Sequence, residues 1–268
     1  MIFLIGWQYE AEGGPAMNDE KVPAELDRLW RLSAESRLGR PAKLDVDRVV
    51  RAAIELADRD GLSGATLPKI AEALGVTKMS LYRHTGSKDE LLDLMADLAV
   101  GPAPLSSAVA GEWRTGLTDW SLAQAEVFRR HTWLARLPIS GPPKGPNQIS
   151  WLDAALRVLR DTGLGWLAKL AVVGLLGGYV RSASQQANDM AEGRRGTGLD
   201  QDQAEREYGR ALAKLVDVER FPEAAKLFGA EIFETPVAEP EPSDRDFRFG
   251  LDLILDGVAT AIDRRNPD

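Results

Sequence analysis

Residues 65–92, ATLPKIAEALGVTKMSLYRHTGSKDELL, constrain the fold more than any other stretch of the chain. Leu67, Ile70, Ala71 and Leu74 recur at helical spacing, Gly75-Val76 interrupts them, and Met79, Leu81 and Tyr82 resume the pattern. The pattern predicts two short helices joined by a tight turn. Between the apolar positions of the second helix stand Thr77, Lys78, Ser80, Arg83 and His84, all donors or cations with no acid among them. A helix-turn-helix needs a small residue at its turn and a second helix slim enough for the ~12 Å major groove of B-DNA. An αα-hairpin in any helical protein has the same period, so charge has to separate the two readings. From residue 61 to 88 the cations Lys69, Lys78, Arg83 and Lys88 face one acid, Glu72, giving net +3 in a chain of net −8. Local positive charge on an acidic protein suits a surface that meets phosphates.

The remaining composition narrows the class. The 268 residues are 44% apolar, enough for a substantial core and for two domains. Cysteine is absent, which removes disulfides, thiolate metal sites and a cysteine nucleophile and fits a cytoplasmic protein. The 15 Pro and 25 Gly cluster in connections and spare most periodic segments, so an all-α fold is expected. The opening MIFLIGW lacks a basic leader and a cleavage site, and residues 1–16 read as a tail or as sequence ahead of a start at Met17. The longest apolar run, residues 170–180, is about half the ~20 residues of a spanning helix, so no membrane segment is expected.

Taken together, RVVRAAIELADRDGLSGAT followed by LPKIAEALGVTKMSLYRHTGSKDELLDLM resembles the DNA-binding domain of the tetracycline-repressor (TetR) family of bacterial regulators, strongly over residues 44–100. The LGV turn, the LYRH segment and the helix-opening SKDELL carry the likeness. It continues more weakly in WRTGLTDWSLAQAEVFRRH and FRFGLDLILDGV, which are similar to the regulatory half of the tetracycline repressors. The resemblance implies a three-helix helix-turn-helix domain followed by a larger helical regulatory and dimerisation domain. It also implies that Lys78, Met79 and Ser80 lie nearest base edges while Tyr82 and His84 bond phosphates, with Thr66, Lys69, Thr77, Arg83 and Lys88 completing the interface. Side-chain chemistry agrees in part: lysine donates to guanine, a methionine can touch a thymine methyl, and tyrosine or histidine donates to phosphate oxygens. Pro68 stands near a position where the family often carries a basic reader, so one base contact is lost.

In chain order, residues 1–43 form an N-terminal extension. Leu26, Leu29, Trp30 and Leu32 suggest a short helix within residues 23–36, or else a solvated tail, and the basic run with Arg40 and Lys43 is either a DNA-tracking arm or a linker. A first domain helix is expected to open at Asp45 and stop at Gly61; Thr66 is placed to cap the next helix, and Ser87 with Glu90 forms a capping box. Gly101-Pro102-Ala103-Pro104 opens the domain of residues 101–268. Helices are expected over 111–130, from 151 onward, 166–190, 221–229 and 245–264, with loops at 191–202 and in TPVAEPEPSD. LAVVGLLGG in the 166–190 helix is apolar on nearly all sides and must be covered by the domain or a second subunit. By resemblance this helix and the last one form a homodimer through a four-helix bundle, and a symmetric dimer reads two half-sites.

Five tryptophans fall in the regulatory half. Trp120, Gln124, Phe128, Trp133, Leu137, Trp151, Trp166 and Leu170 are candidates to line a pocket for a small-molecule effector, although aromatic walls also describe an ordinary core. Where the family holds a magnesium–drug chelate this chain aligns Trp120, Gln124, Pro138 and Gly141, so neither magnesium nor tetracycline is expected, nor any other cofactor. His131, beside Arg129, Arg130 and Arg136, reads as a structural or surface residue and not a ligand. No nucleophile elbow, P-loop or HExxH pattern occurs, and GLGWLA has no preceding strand to make it a dinucleotide fingerprint, so no catalytic residue is assigned. A helical adaptor or an enzyme on a helical scaffold remains the alternative.

Overall fold

The computed structural model describes residues 22–32, 45–104, 112–139, 141–234 and 242–265. The residue 1–16 tail, the basic arm with Arg40 and Lys43, and most of the Pro-rich loop near residue 240 lie outside the described residues. Within them the chain is helical, with no strand and no helix long and apolar enough to cross a membrane.

Helix α1 (Ala24–Leu29) is shorter than its sequence pattern, because Arg31 turns the chain at φ +57. Helix α2 (Val46–Asp60) starts where Asp45 accepts from the Arg48 N–H at 2.7 Å, and it buries Val49, Val50, Ala53, Ile54, Leu56 and Ala57. Helix α3 (Leu67–Leu74) ends at Gly75, whose φ of +64 a β-carbon would oppose. There the Val76 N–H reaches back to the Ala71 carbonyl at 2.9 Å and the Gly75 N–H to Glu72 at 3.1 Å, the bonding pattern that closes a helix with a left-handed residue. Thr66 occupies the N-cap of α3 but makes no side-chain capping bond, contrary to the expectation from its residue type. Helix α4 (Lys78–Thr85) is capped by Thr77, which accepts from the Ser80 N–H at 3.3 Å. Helix α5 (Lys88–Val100) carries the expected capping box: Glu90 N–H donates to Ser87 Oγ at 3.1 Å and Ser87 N–H to Glu90 Oε1 at 3.3 Å. One apolar cluster gathers α2, Ile70, Leu81, and Leu91, Leu94 and Met95 of α5 with Leu29, Trp133, Leu134 and Leu137.

Helix α6 (Trp113–Arg130), a 3-10 segment Thr132–Arg136, α7 (Pro146–Val158) and the 29-residue α8 (Trp166–Arg194) follow. Gly177 of α8 approaches α6, and a β-carbon there would touch Trp120 and Gln124 at 3.9 Å. Leu176 and Val180 are fully buried, yet Leu167 and Leu175 are 73% and 51% exposed, so one chain covers only part of the apolar surface of α8.

Contacts divide the chain into two compact units, residues up to 184 with those from 254 onward, and residues 185–253. In the second, residues 191–202 are not a loop throughout. α8 continues to Arg194, and α9 (Gln201–Leu215) begins where Asp200 and Gln203 form a reciprocal cap. Helix α10 (Pro222–Gly229) follows. Phe228 and Phe233 stack at 5.5 Å with Tyr208 edge-on to both, and Gly209 leaves the space that the Phe233 ring occupies. Helix α11 (Pro242–Asp263) ends the fold.

Candidate nucleic-acid interface

Helix α4 has two faces set by its apolar spacing. Leu81 and Thr85 are fully buried, the Thr85 hydroxyl donating to the Leu81 carbonyl at 3.1 Å, and they seat the helix on the core. Lys78 in the first turn and Met79, Tyr82 and Arg83 are exposed, with Met79 at 68% and Tyr82 at 44%. Ser80 and His84 are half-buried. Among the described residues, no ion pair engages Lys78, Arg83 or Lys88, whose charges are therefore available, whereas Lys69 lies 3.9 Å from Asp60. Thr77 spends its side chain on the cap of α4, and Thr66 is exposed ahead of α3. Lys88 is exposed at the start of α5, where unpaired N–H groups and the helix dipole favour an anion. A projecting helix with a polar, cationic and methionine-bearing face can enter a major groove while Tyr82 and Lys88 reach the flanking phosphates.

Two polar anchors fasten this head to the helices that follow. Asp58, near the end of α2, accepts from the Trp133 indole N–H at 2.7 Å and lies 2.8 Å from His131 Nδ1, with the two rings edge-to-face. Of the structural and surface roles that the sequence leaves open for His131, the contact with Asp58 favours the structural one. The second anchor is Asp97, buried in the last turns of α5. Its carboxylate accepts from the Gln148 N–H at 3.0 Å and the Asn147 amide at 3.2 Å, capping α7 from a neighbouring helix. A β-carbon on Gly145 would fall on that carboxylate, so glycine is required for the approach.

Burial pushes the Asp97 carboxyl above its ordinary pKa, against the hydrogen bonds that lower it. The fold thus favours the protonated form. Asp97 contributes its full share of stability below the ordinary carboxylate pKa of about 4, and that share is lost as pH rises through the raised folded value. In urea unfolding, the stability of wild type minus that of Asp97→Asn is expected to fall as pH rises above the ordinary carboxylate pKa of about 4. A flat difference would mean that Asp97 titrates as in the unfolded chain.

The candidate pocket residues fall into separate places. Trp120 and Trp151 meet edge-to-face at 6.1 Å, with the Trp120 indole N–H on the Trp151 carbonyl at 3.0 Å and the Trp151 indole N–H on Gly101 at 3.0 Å. Gln124 is half-buried one turn beyond Trp120 and close to Gly177 of α8. Trp133 and Leu137 belong instead to the core around α2, and Phe128 packs against it. Trp166 is 71% exposed under the Lys169 ammonium, and Leu170 is 42% exposed. Among the described residues no cluster of His, Asp or Glu is arranged to hold a metal ion.

Comparison with known proteins agrees with this architecture. The family model for bacterial regulatory proteins of the tetR family matches residues 49–95, and the model for the tetracyclin repressor-like C-terminal domain matches residues 105–262. The chain belongs to the tetracycline-repressor family. It is a helix-turn-helix transcriptional regulator of all-α fold, as the LGV, LYRH and SKDELL segments implied. It is 32% identical to the HTH-type transcriptional repressor DrrR1 of Streptomyces coeruleorubidus over 91% of this chain and 88% of the relative. To the class A tetracycline repressor of transposon 1721 from Escherichia coli it is 29% identical, over 81% of this chain and 91% of that one. Among solved structures it is similar to the TetR family protein ActR of Streptomyces coelicolor in complex with actinorhodin, at TM-score 0.67 and 26% identity, covering 82% of this chain and 97% of ActR.

Sequence reasoning alone missed Asp58, Asp97 and Arg181 in this member of the tetracycline-repressor family. Arg181 of α8 donates through Nε to the Ala135 carbonyl at 3.0 Å and through the guanidinium to the Leu137 carbonyl, and burial lowers its pKa. A lone acid or arginine in a helical pattern carries no signal of a partner 40 or more residues away.

Proposed function

We propose that the chain is a ligand-responsive repressor that acts in the cytoplasm and binds a palindromic operator as a homodimer. In this reading residues 1–43 are an extension, 44–100 the DNA-binding domain and 101–268 a ligand-binding and dimerisation domain. The observation that carries the reading is the exposure of Lys78, Met79, Tyr82 and Arg83 on α4, with Leu81 and Thr85 inward. Lys78, Met79 and Ser80 read bases. Tyr82, His84 and Lys88 hold phosphates, with Arg83, Lys69, Thr66, Thr77 and the arm residues Arg40 and Lys43 alongside. The dimer forms through α8 and α11, whose exposed apolar residues one chain leaves uncovered. The effector sits against Trp120, Gln124 and Trp151; of the other candidates, Trp133 and Leu137 lie in the core around α2 with Phe128 packed on it, and Trp166 and Leu170 are exposed on α8, so they do not share that lining. That ActR is known in complex with actinorhodin supports a small-molecule effector, here read as largely apolar, and no metal is assigned. Release requires an effector that favours the non-binding state by about 100-fold, a coupling of ~3 kcal/mol.

Anisotropy titrations on a duplex selected from random sequence, and on random duplex, test the DNA assignment across salt concentrations. Lys78→Ala is expected to relax preference at one or two base pairs by about 1–3 kcal/mol. Tyr82→Phe should weaken selected and random DNA alike, because phosphates carry no sequence. Equal loss on both duplexes for Lys78→Ala would remove it from the bases.

A further inference from the structure

Helix α1 is bonded in three directions at once. Downward, Leu29 is 5% exposed and Leu26 packs beside it on the cluster formed by α2 and α5. Toward the DNA-binding head, Arg28 Nε donates to Glu90 Oε2 at 2.7 Å, the carboxylate whose other oxygen closes the capping box of α5. Arg31 Nε donates to Asp47 Oδ1 at 2.9 Å in the first turn of α2. Toward the regulatory helices, the Trp30 indole N–H donates to the Lys144 carbonyl at 2.8 Å just ahead of α7, and the Lys144 ammonium returns to Asp93 of α5 at 2.6 Å. The void left among Leu26, Leu29, Glu90, Leu94 and Lys144 is about 10 Å³, no more than one water.

The position of these ties matters mechanically. Asp97 fastens the C-terminal end of α5 to α7, near where the head would pivot. Glu90 lies seven residues earlier, about 10 Å along the helix at 1.5 Å per residue. A tie at one end of a helix leaves it free to tilt; ties at both ends do not. Each outer contact is partly exposed and individually weak, with side-chain exposures of 30% and 24% for Arg28 and Glu90, so the strap can hold an angle and still yield.

We propose that α1 is a strap, with Arg28 and Trp30 as positioning residues, that holds the DNA-binding head at a set angle to α7 and thereby narrows the half-site spacing the dimer accepts. The spacing part rests on the reading of the protein as a dimeric operator binder. The test uses the full chain with Arg28→Ala and Trp30→Phe together, which cuts the ties to Glu90 and to the Lys144 carbonyl and leaves Arg31 on Asp47, Lys144 on Asp93 and Leu29 in the core. Because the chain has no cysteine, Glu72→Cys on α3 and Asp153→Cys on α7 take spin labels at defined places. The distance distribution between the labels is expected to broaden in the doubly substituted chain. The affinity penalty for adding or removing one base pair at the operator centre is expected to shrink by about three-fold or more. An unchanged distribution, or an unchanged penalty on an operator that wild type binds, overturns the proposal. If wild type binds no operator, the functional reading fails by itself, and the strap then stands or falls on the label distances, which need no DNA.

Discussion

Replacing Leu253 with glutamate is expected to leave the chain monomeric and to abolish binding to a two-half-site operator. Helix α11 carries two apolar faces. Leu251, Leu255 and Val258 are buried within the chain, whereas Phe249 and Leu253, one turn apart, are 67% and 58% exposed. A helix apolar on both faces is built to be covered on both, and α8 shows the same surplus at Leu167, Leu170 and Leu175. An unpaired carboxylate in such a contact costs several kcal/mol, and each 1.4 kcal/mol is about a tenfold change in association. Losing the dimer also loses the second recognition helix, so the operator complex falls toward the affinity of one half-site. Leu253→Met, which keeps volume and polarity, serves as the control and should remain dimeric. Sedimentation velocity and operator anisotropy on both variants decide the matter: a dimeric Leu253→Glu chain takes α11 out of the interface.

The second large effect is expected at Trp133. Trp133→Ala should cost about 3–5 kcal/mol, a large share of the 5–15 kcal/mol that holds a typical domain folded. The indole is 2% exposed and fills the cluster beneath α2, and its N–H is committed to Asp58. Asp58→Ala strands that buried donor and should cost less, about 1–3 kcal/mol. Combining the two should cost less than their sum, because both remove the same bond. Urea unfolding of the four chains completes the cycle. A loss below about 1 kcal/mol for Trp133→Ala would fit an accessible pocket wall and not a core residue.

These residues also mark where sequence reasoning reached and where it stopped. The recognition helix was legible because its signals are local: a glycine at the turn, a threonine cap, and apolar residues spaced to put Met79 opposite Leu81. The capping box at Ser87 and Glu90 is likewise contained in four residues. Thr66 shows the limit of local rules, since the right residue at an N-cap still makes no bond. The glycines of residues 191–202 suggest a loop, although Asp200 and Gln203 spell the start of α9 at its end.

Periodicity by itself determined that the chain is helical, and local charge with the LGV, LYRH and SKDELL segments determined where the head lies, because each depends on residues within a few positions of one another. Tertiary structure alone decided which of two equally aromatic roles each tryptophan takes. Trp133 sits in the core beneath α2 while Trp120 and Trp151 meet 31 residues apart, and Asp97 caps a helix that begins some fifty residues later. Such pairings are chosen by how helices pack, through shape and the need to satisfy buried polar groups, and neither is written in the spacing of any one segment.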